Sequence, residues 1–304
     1  MKSNSEWLPI ISLLTAMVLW GSSFIALKVA FAYYDPMVVI FGRMFVASVC
    51  FLFFIRKFRI IRYRRGDWRY ITFMAVSEPC LYFIFEAKAM IYTSASQAGM
   101  ITAMLPLMVA VGAHFFLKEK VTTRTVFGFM VAVGGAGLLS AGATATESAP
   151  NPALGNLYEL CAMLCAAAYT LSLKHLCHRY SPLFLTAVQA FIGTLFFFPF
   201  LLLPATPLPN PFLPIPTLMV VYLGTFVTLG AYGLYNFGVS RIPASQASAY
   251  INLVPIFSVI MGRIFLGETF TTTQYLAAAM VFSGIYISHE KAKNKPAKKV
   301  CQGA

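Results

Sequence analysis

Residues 95–106, ASQAGMITAMLP, return 149 positions later as residues 244–255, ASQASAYINLVP. The match continues outward from this stretch. Glu119 recurs as Glu268, Thr122-Thr123 as Thr271-Thr272 and Gly135 as Gly284, all at the same offset of 149. Around the copies the chain is nearly uninterrupted hydrocarbon, with no Lys, Arg, Asp or Glu in the 61 positions from Tyr180 to Ser240. An apolar chain built twice from one unit is the sequence mark of a secondary transporter, whose substrate site lies between the repeats.

Composition sets the class. Of 304 residues, 59% are hydrophobic and only 11% charged, too little charge to cover the surface of a soluble fold of this length. The net charge of +13 does not point to nucleic acid, because seven of the 23 cations crowd between Arg56 and Arg69 and five more between Lys291 and Lys299. Such clusters read as juxtamembrane topology signals. The six cysteines, Cys50, Cys80, Cys161, Cys165, Cys177 and Cys301, show no paired framework. Cys161, Cys165 and Cys177 with His175 and His178 raise a metal site, but soft ligands on one apolar helix read more simply as packing. No metal and no cofactor is expected. Lys2 before an apolar run, with Ala30-Phe31-Ala32 after it, imitates a cleaved leader. The charge-free run Leu8–Leu27 is longer than a leader core, however, and has a counterpart in the second half, so it reads as the first transmembrane helix.

Crossing ~30 Å of hydrocarbon takes ~20 apolar residues as a helix. Ten such segments are predicted, at 8–30, 36–56, 69–90, 95–117, 124–142, 153–177, 183–203, 216–240, 244–266 and 272–289. The expected fold is therefore all-α integral membrane, with ten transmembrane helices as two inverted five-helix repeats. The first repeat is 8–142, the second 153–289, and 290–304 is a basic cytoplasmic tail. Asp35-Pro36 and Ser181-Pro182 each read as an N-cap followed by proline at the first helical position. Pro204, Pro207, Pro209, Pro211, Pro214 and Pro216 predict a stiff extended connection over 204–216. With the N-terminus cytoplasmic, 19 of the 23 Lys and Arg fall on that side and none in the opposite loops. The positive-inside rule then puts both termini in the cytoplasm, and five helices per half, an odd number, invert one half against the other.

At this point the chain resembles the EamA-type module of the drug/metabolite transporter superfamily. The resemblance is carried by Trp20-Gly21-Ser22-Ser23-Phe24, by Arg43, and by Thr93-Ser94-Ala95-Ser96-Gln97-Ala98 before Leu105-Pro106-Leu107. Leu117-Lys118-Glu119 and the Gly134-Gly135 helix extend it. It covers about residues 8–289, and the second half repeats most of it; Ala166-Ala167-Ala168-Tyr169 lacks the Trp-Gly. The resemblance implies a ten-helix exporter-like carrier for amino acids, other small metabolites or drugs in a bacterial-type inner (plasma) membrane.

Ionisable residues inside spans are candidates for function because inserting each costs ~2.5–3.5 kcal/mol. Arg43 lies seven residues into the second span, ~10 Å at 1.5 Å per residue. Glu78, Tyr82 and Glu86 fall at i, i+4 and i+8, on one predicted helix face. Two readings stand. Glu86 neutralises Arg43 (or Lys88) and fixes helices two and three, or Arg43 meets a substrate carboxylate while a glutamate meets an amine or exchanges a proton. Burial favours the neutral form of a carboxyl, which suits Glu78 and Glu86 as proton-coupling groups. Glu78 is the better of the two, since no cation is evident at its depth.

Trp20, Arg43, Tyr82, Glu86, Tyr169, Gln189, Tyr232, Asn236, Tyr250 and Asn252 form the candidate substrate-binding set. Gln97 and Thr102 belong to the same polar group, for which interhelical hydrogen bonding is the alternative. Pro106 and Pro255 predict kinks that serve as bends or as hinges. Glu119 and Glu268, at the ends of helices four and nine, read as capping groups or as helix-end groups interacting with the Thr pairs that follow, rather than as transport groups. The Gly134-Gly135-Ala136-Gly137 run reads as close helix contact rather than a nucleotide loop.

The function these residues point to is alternating-access export of a small metabolite, an amino acid or a relative, with protons as a candidate coupling ion and the bilayer as surroundings. A multidrug carrier is the alternative within transport. A membrane enzyme lacks a Ser/His/Asp constellation or metal-ligand spacing here, so no catalytic residue is expected. A channel would need a continuous polar path.

Overall fold

The computed structural model describes residues 4–54, 64–117 and 123–288. Most of the basic run, Glu119 with its neighbouring lysines, and the tail 290–304 lie outside the described residues. Within them every regular element is helical, and the β pairing is limited to one isolated bridge, Thr146 to Ala149. In chain order, α1 is Asn4–Phe31 and α2 is Pro36–Leu52. α3 runs through three pieces, Asp67–Ala75, Val76–Leu81 and Tyr82–Tyr92. α4 runs through Ala95–Ile101, Thr102–Met104 and Leu105–Leu117, and α5 is Thr123–Ala141. α6 is Pro152–Leu176 and α7 is Pro182–Phe197. α8 comprises Pro214–Tyr222, Leu223–Ala231 and Tyr232–Arg241. α9 comprises Ala244–Ala249, Tyr250–Leu253 and Val254–Leu266, and α10 is Thr272–Ser288.

Among the described residues, six stretches are long and apolar enough to cross a membrane: Trp7–Phe31, Ala95–Phe116, Pro152–Leu176, Pro182–Leu202, Pro214–Arg241 and Ala244–Leu266. Each lies within two residues of a predicted span. Pro36–Leu52 and Val126–Ala141 are apolar but shorter. The predicted caps are in place. Asp35 accepts a hydrogen bond from the Met37 amide at 2.8 Å and Ser181 one from the Phe184 amide at 3.3 Å, each ahead of a helix that opens on proline. The proline-rich connection differs from expectation at its end. Pro214 and Pro216 open α8 instead of lying in the loop, as proline can where the first turn's amides need no partner. The Tyr34 hydroxyl ties this entry down, accepting from the Leu213 amide at 2.7 Å and lying 2.8 Å from Thr217 Oγ1.

Packing explains the glycines shared by the two copies. α5 lies along α10, and a Cβ on Gly135 would fall 2.8 Å from the Val281 amide nitrogen. One on Gly284 would fall 2.5 Å from the Gly128 carbonyl oxygen. In hydrocarbon, where helices gain nothing from burying apolar surface, such backbone approach supplies the contact energy. α1 is held among α8, α9 and α2, while α6 lies on α3 and α4.

Four helices depart from α geometry, and the departures match at the 149-residue offset. Val76–Leu81 of α3 shifts onto 225–230, inside Leu223–Ala231 of α8, where both segments carry π-type turns. Thr102–Met104 of α4 shifts onto 251–253, inside Tyr250–Leu253 of α9, and both are 3-10 turns. In α3, α4 and α9 the cause is local. Pro106 and Pro255 lack an amide hydrogen and crowd the carbonyl four residues back, at Thr102 and Ile251. Glu78 leaves the helix altogether (φ −150°, ψ 116°) ahead of Pro79, in keeping with proline's bias against a helical residue before it.

At the other end of α3, Asp67 joins it to the α6–α7 connection. Its carboxylate accepts from Arg179 Nη1 at 2.5 Å and from the Tyr180 hydroxyl at 3.0 Å. Burial pushes this carboxyl up, but those hydrogen bonds and the charges of Arg179 and Arg64 outweigh it and hold it below its ordinary value. A depressed folded-state pKa contributes stability above the unfolded-state value that is lost as pH falls through the folded-state one. Asp67→Asn is therefore expected to lower the thermal midpoint of the detergent-purified protein at neutral pH. The gap from wild type should close once the pH is below the carboxylate range; a gap of equal size at both pH values would mean the charge contributes nothing.

Candidate functional site

The irregular turns of α3, α4 and α9 border one cavity. α1 contributes Trp20, Ser23 and Phe24, α2 contributes Arg43, and α3 contributes Glu78, Tyr82 and Glu86. Thr102 and Leu105 come from α4 and Met163, Ala166, Tyr169 and Thr170 from α6. Tyr232 and Tyr235 come from α8 and Ile251 and Val254 from α9. Its space for the centres of water molecules is about 50 Å³, against the ~10–15 Å³ that one water needs. The cavity as it stands holds a few waters and would have to widen for a larger molecule.

Arg43 is the cation of this cavity and is 2% exposed. Gly224 lets the α8 backbone approach α2 beside it, since a Cβ there would fall 2.8 Å from the Arg43 carbonyl oxygen. One turn on, Thr228 Oγ1 accepts from Arg43 Nε at 3.1 Å. The guanidinium stands 4.3 Å above the Phe83 ring, an arrangement suited to its planar, weakly hydrated charge. Its Nη1 lies 3.5 Å from Glu86 Oε2, close enough for an ion pair, yet makes no hydrogen bond. Glu86 Oε1 accepts from the Tyr82 hydroxyl at 2.9 Å. Trp20 Nε1 is likewise buried without a hydrogen-bond partner, its ring packed 5.2 Å from that of Tyr232 and 4.8 Å from that of Tyr235. Two donors thus border the cavity unused, where buried donors are normally paired.

The other candidates fall into two groups. Tyr169 lines the cavity and shares its hydroxyl proton between Gln189 Oε1 at 3.0 Å and Asn236 Oδ1 at 2.8 Å. Asn236 in turn donates to Thr186 Oγ1 at 2.8 Å, so Gln189 and Asn236 stand behind Tyr169, outside the lining. Tyr250 and Asn252 also lie outside it; their neighbours Ile251 and Val254 face the cavity instead. Tyr82 and Glu86 share a turn as their spacing predicts. Glu78 does not share that helix face, because its backbone is extended, yet the break still carries it to the cavity. There it shares the space with Tyr232 and Arg43, so a cation is within reach after all.

Glu268 is a capping group, as expected, but its partners are not the threonines that follow it. It accepts from the Ala95 amide at 2.9 Å and the Ser96 amide at 2.8 Å, capping α4 from the end of α9 rather than pairing with the threonines after it. Thr271 pairs with Gln274 instead: the Thr271 amide donates to Gln274 Oε1 at 2.8 Å, and the Gln274 amide donates to Thr271 Oγ1 at 3.3 Å, a capping box. The residue that sequence reasoning passed over is Glu159, fully buried in α6. Its signal was available as an acid inside an apolar span.

Known proteins resemble the chain along most of its length. An uncharacterized transporter of Archaeoglobus fulgidus is 25% identical over 281 residues, 91% of this chain and 97% of that protein. The uncharacterized transporter YetK of Bacillus subtilis is 29% identical over 211 residues, 68% of this chain but only 63% of its own length. A probable terminal-alkyne amino-acid exporter of Streptantibioticus cattleyicolor is 25% identical over 295 residues, 95% of this chain and 94% of that one. A solved crystal structure superposes with a TM-score of 0.66 at 16% identity, covering 92% of this chain and 96% of the other, a likeness of fold alone. The EamA-like transporter family matches residues 7–141 and 153–289 in turn, one match for each copy of the repeated pattern, and the chain belongs to that family of multi-pass membrane transporters.

Proposed function

We propose that the protein is a secondary carrier that exports an amino acid or related small metabolite by alternating access, coupled to protons. Its ten helical stretches cross the membrane as two inverted five-helix repeats, with both termini cytoplasmic. The observation that carries this reading is the pair of unused buried donors, Arg43 Nη1 and Trp20 Nε1, in a cavity reached by α3 where it is interrupted at Glu78. Interrupted helices at a repeat interface are the usual location of a transporter's substrate site. A substrate carboxylate satisfies both donors. The tyrosine-rich wall of Tyr82, Tyr169, Tyr232 and Tyr235 suits the apolar part of the molecule.

Charge supplies the coupling. Arg43 and Glu86 offset each other, so ionised Glu78 leaves one negative charge for a substrate ammonium. A proton on Glu78 removes that charge. Proton and ammonium then compete for one carboxyl, which is the condition for exchange of one against the other. Tyr169, held by Gln189 and Asn236, positions the wall, and the turns before Pro106 and Pro255 are the hinges. The amino-acid exporter among the relatives supports this substrate class. The aromatic wall supports a second reading, efflux of aromatic cationic drugs.

A thermal-shift screen of the purified protein against amino acids, organic acids and cationic drugs, followed by counterflow in proteoliposomes, tests the choice. Stabilisation and counterflow with amino acids are expected; a response to cationic drugs alone would favour the second reading. Orientation has its own test. In a background without the six native cysteines, a single cysteine near Ala205 should be labelled from outside intact cells and one at Lys298 spared. External labelling at 298 would overturn the inverted arrangement.

A further inference from the structure

Glu159 is the single acid of α6. It is 0% exposed, and neither carboxyl oxygen has a hydrogen-bond partner. On the same helix Met163 and Ala166, one and two turns along, line the cavity. Asn156, one turn the other way, accepts from Thr93 Oγ1 at 2.9 Å and donates to Gln97 Oε1 and Ser140 Oγ, each at 3.0 Å. Glu159 therefore stands between the cavity and a buried polar network. That network borders a separate crevice of about 290 Å³ lined in part by Asn156 and Ser140.

Among the described residues, the titratable groups in electrostatic contact with Glu159 are Glu86 and Tyr82 of α3. α8 offers Tyr232 and Tyr235 at the cavity. Lys88 and Tyr92 of α3 lie against Tyr158, the neighbour of Glu159 in α6, the ammonium 5.4 Å and the Tyr92 ring 6.1 Å from that ring; His114 of α4, Arg124 of α5, and Asp67, Arg69 and Tyr70 of α3 belong to the opposite end of α6, and the piece of α9 against it, Ala244–Ala249, carries none. Three buried acids, Glu78, Glu86 and Glu159, thus share one buried cation, Arg43, whose ion pair is with Glu86. An ionised carboxylate with no donor and no cation is far too costly in such surroundings, so Glu159 rests there as the neutral acid.

We infer that Glu159 is a second proton-binding station of the carrier. This rests on the proton coupling proposed above. While the bundle is closed around it the carboxyl stays neutral. When the carrier opens and water reaches it, the O–H bond of Glu159 breaks and one forms on a water molecule, leaving a carboxylate that water solvates. On closing, the carboxylate takes a proton back from water, so one proton passes through Glu159 in each cycle without an uncompensated charge in the closed bundle.

The test compares the full-length wild type with Glu159→Gln and Glu159→Asp in lipid vesicles. Infrared spectra over a pH series read protonated carboxyls directly and need no substrate. A protonated-carboxyl signal at neutral pH that disappears on alkalinisation is expected in wild type, with one carboxyl's share missing in Glu159→Gln and restored in Glu159→Asp. With L-leucine as the transport probe, the ratio of pH-driven accumulation to counterflow should collapse in the Gln variant and recover in the Asp variant. An infrared signal unchanged by the Gln substitution, or pH-driven accumulation equal to wild type, overturns the assignment. So does equal loss of counterflow in both variants, which marks a packing role. If wild type moves no amino acid, the proposed substrate class fails by itself, and the infrared comparison still decides for or against Glu159.

Discussion

Replacing Glu86 by alanine is expected to do more damage than any other single change in the cavity. Breaking a buried ion pair from one side leaves an uncompensated charge, worth about 3–5 kcal/mol. The two sides are not equivalent. In Arg43→Ala the abandoned Glu86 can take up a proton and become neutral, whereas in Glu86→Ala the guanidinium cannot shed its charge. Folded yield and thermal midpoint in detergent should therefore rank wild type above Arg43→Ala, and Arg43→Ala above Glu86→Ala. The double substitution should cost less than the sum of the two. Strict additivity would separate the residues and leave Arg43 to another partner. Arg43→Lys is expected to rescue little, because a lysine cannot both donate to Thr228 and stack on Phe83 as the guanidinium does.

The largest effect on transport is expected at Glu78. Glutamine keeps the side chain's shape and fixes it in the neutral state. Accumulation driven by a pH gradient should disappear in Glu78→Gln. Counterflow, which need not cycle the proton, should persist at a raised half-saturation concentration, because the carboxylate anchor at Arg43 remains while the charge opposite the ammonium is gone. Proteoliposomes with and without a pH gradient separate the two. Full pH-driven accumulation in the variant would remove Glu78 from the coupling, and loss of counterflow as well would make it a substrate-binding or structural group. The result also bears on the break in α3. Had Glu78 stayed on the helix face its spacing predicts, its backbone amide and carbonyl would be tied into the helix; the extended conformation ahead of Pro79 is what carries the side chain to Tyr232.

Much was legible without coordinates. The six long apolar stretches were found to within two residues because the requirement is crude: hydrocarbon of fixed thickness, a fixed rise per residue, and no tolerance for unpaired backbone groups. The caps at Asp35 and Ser181 were equally plain, since each is settled by three or four consecutive residues. The repeat at offset 149 pointed to a shared unit, and the Gly134-Gly135-Ala136-Gly137 run pointed to close helix contact. Interactions made within one turn, or demanded of every helix in lipid, leave their mark in local sequence.

The site depended on relations between distant residues. Glu268 was placed beside the threonines that follow it, whereas its carboxylate caps Ala95 and Ser96, 173 and 172 positions away. Gln189 and Asn236 looked like cavity residues because they are polar in apolar helices, but the rotation of α7 and α8 sets them behind Tyr169. Glu159 was overlooked for the converse reason: nothing in α6 alone distinguishes an acid with a partner on a neighbouring helix from one with none. By itself the sequence determined the membrane class, the repeat and the limits of the long spans, all of which follow from the solvent and from local backbone chemistry. Only the tertiary structure decided which buried charge lacks a counterpart, because that depends on how helices far apart in the chain turn their faces toward one another.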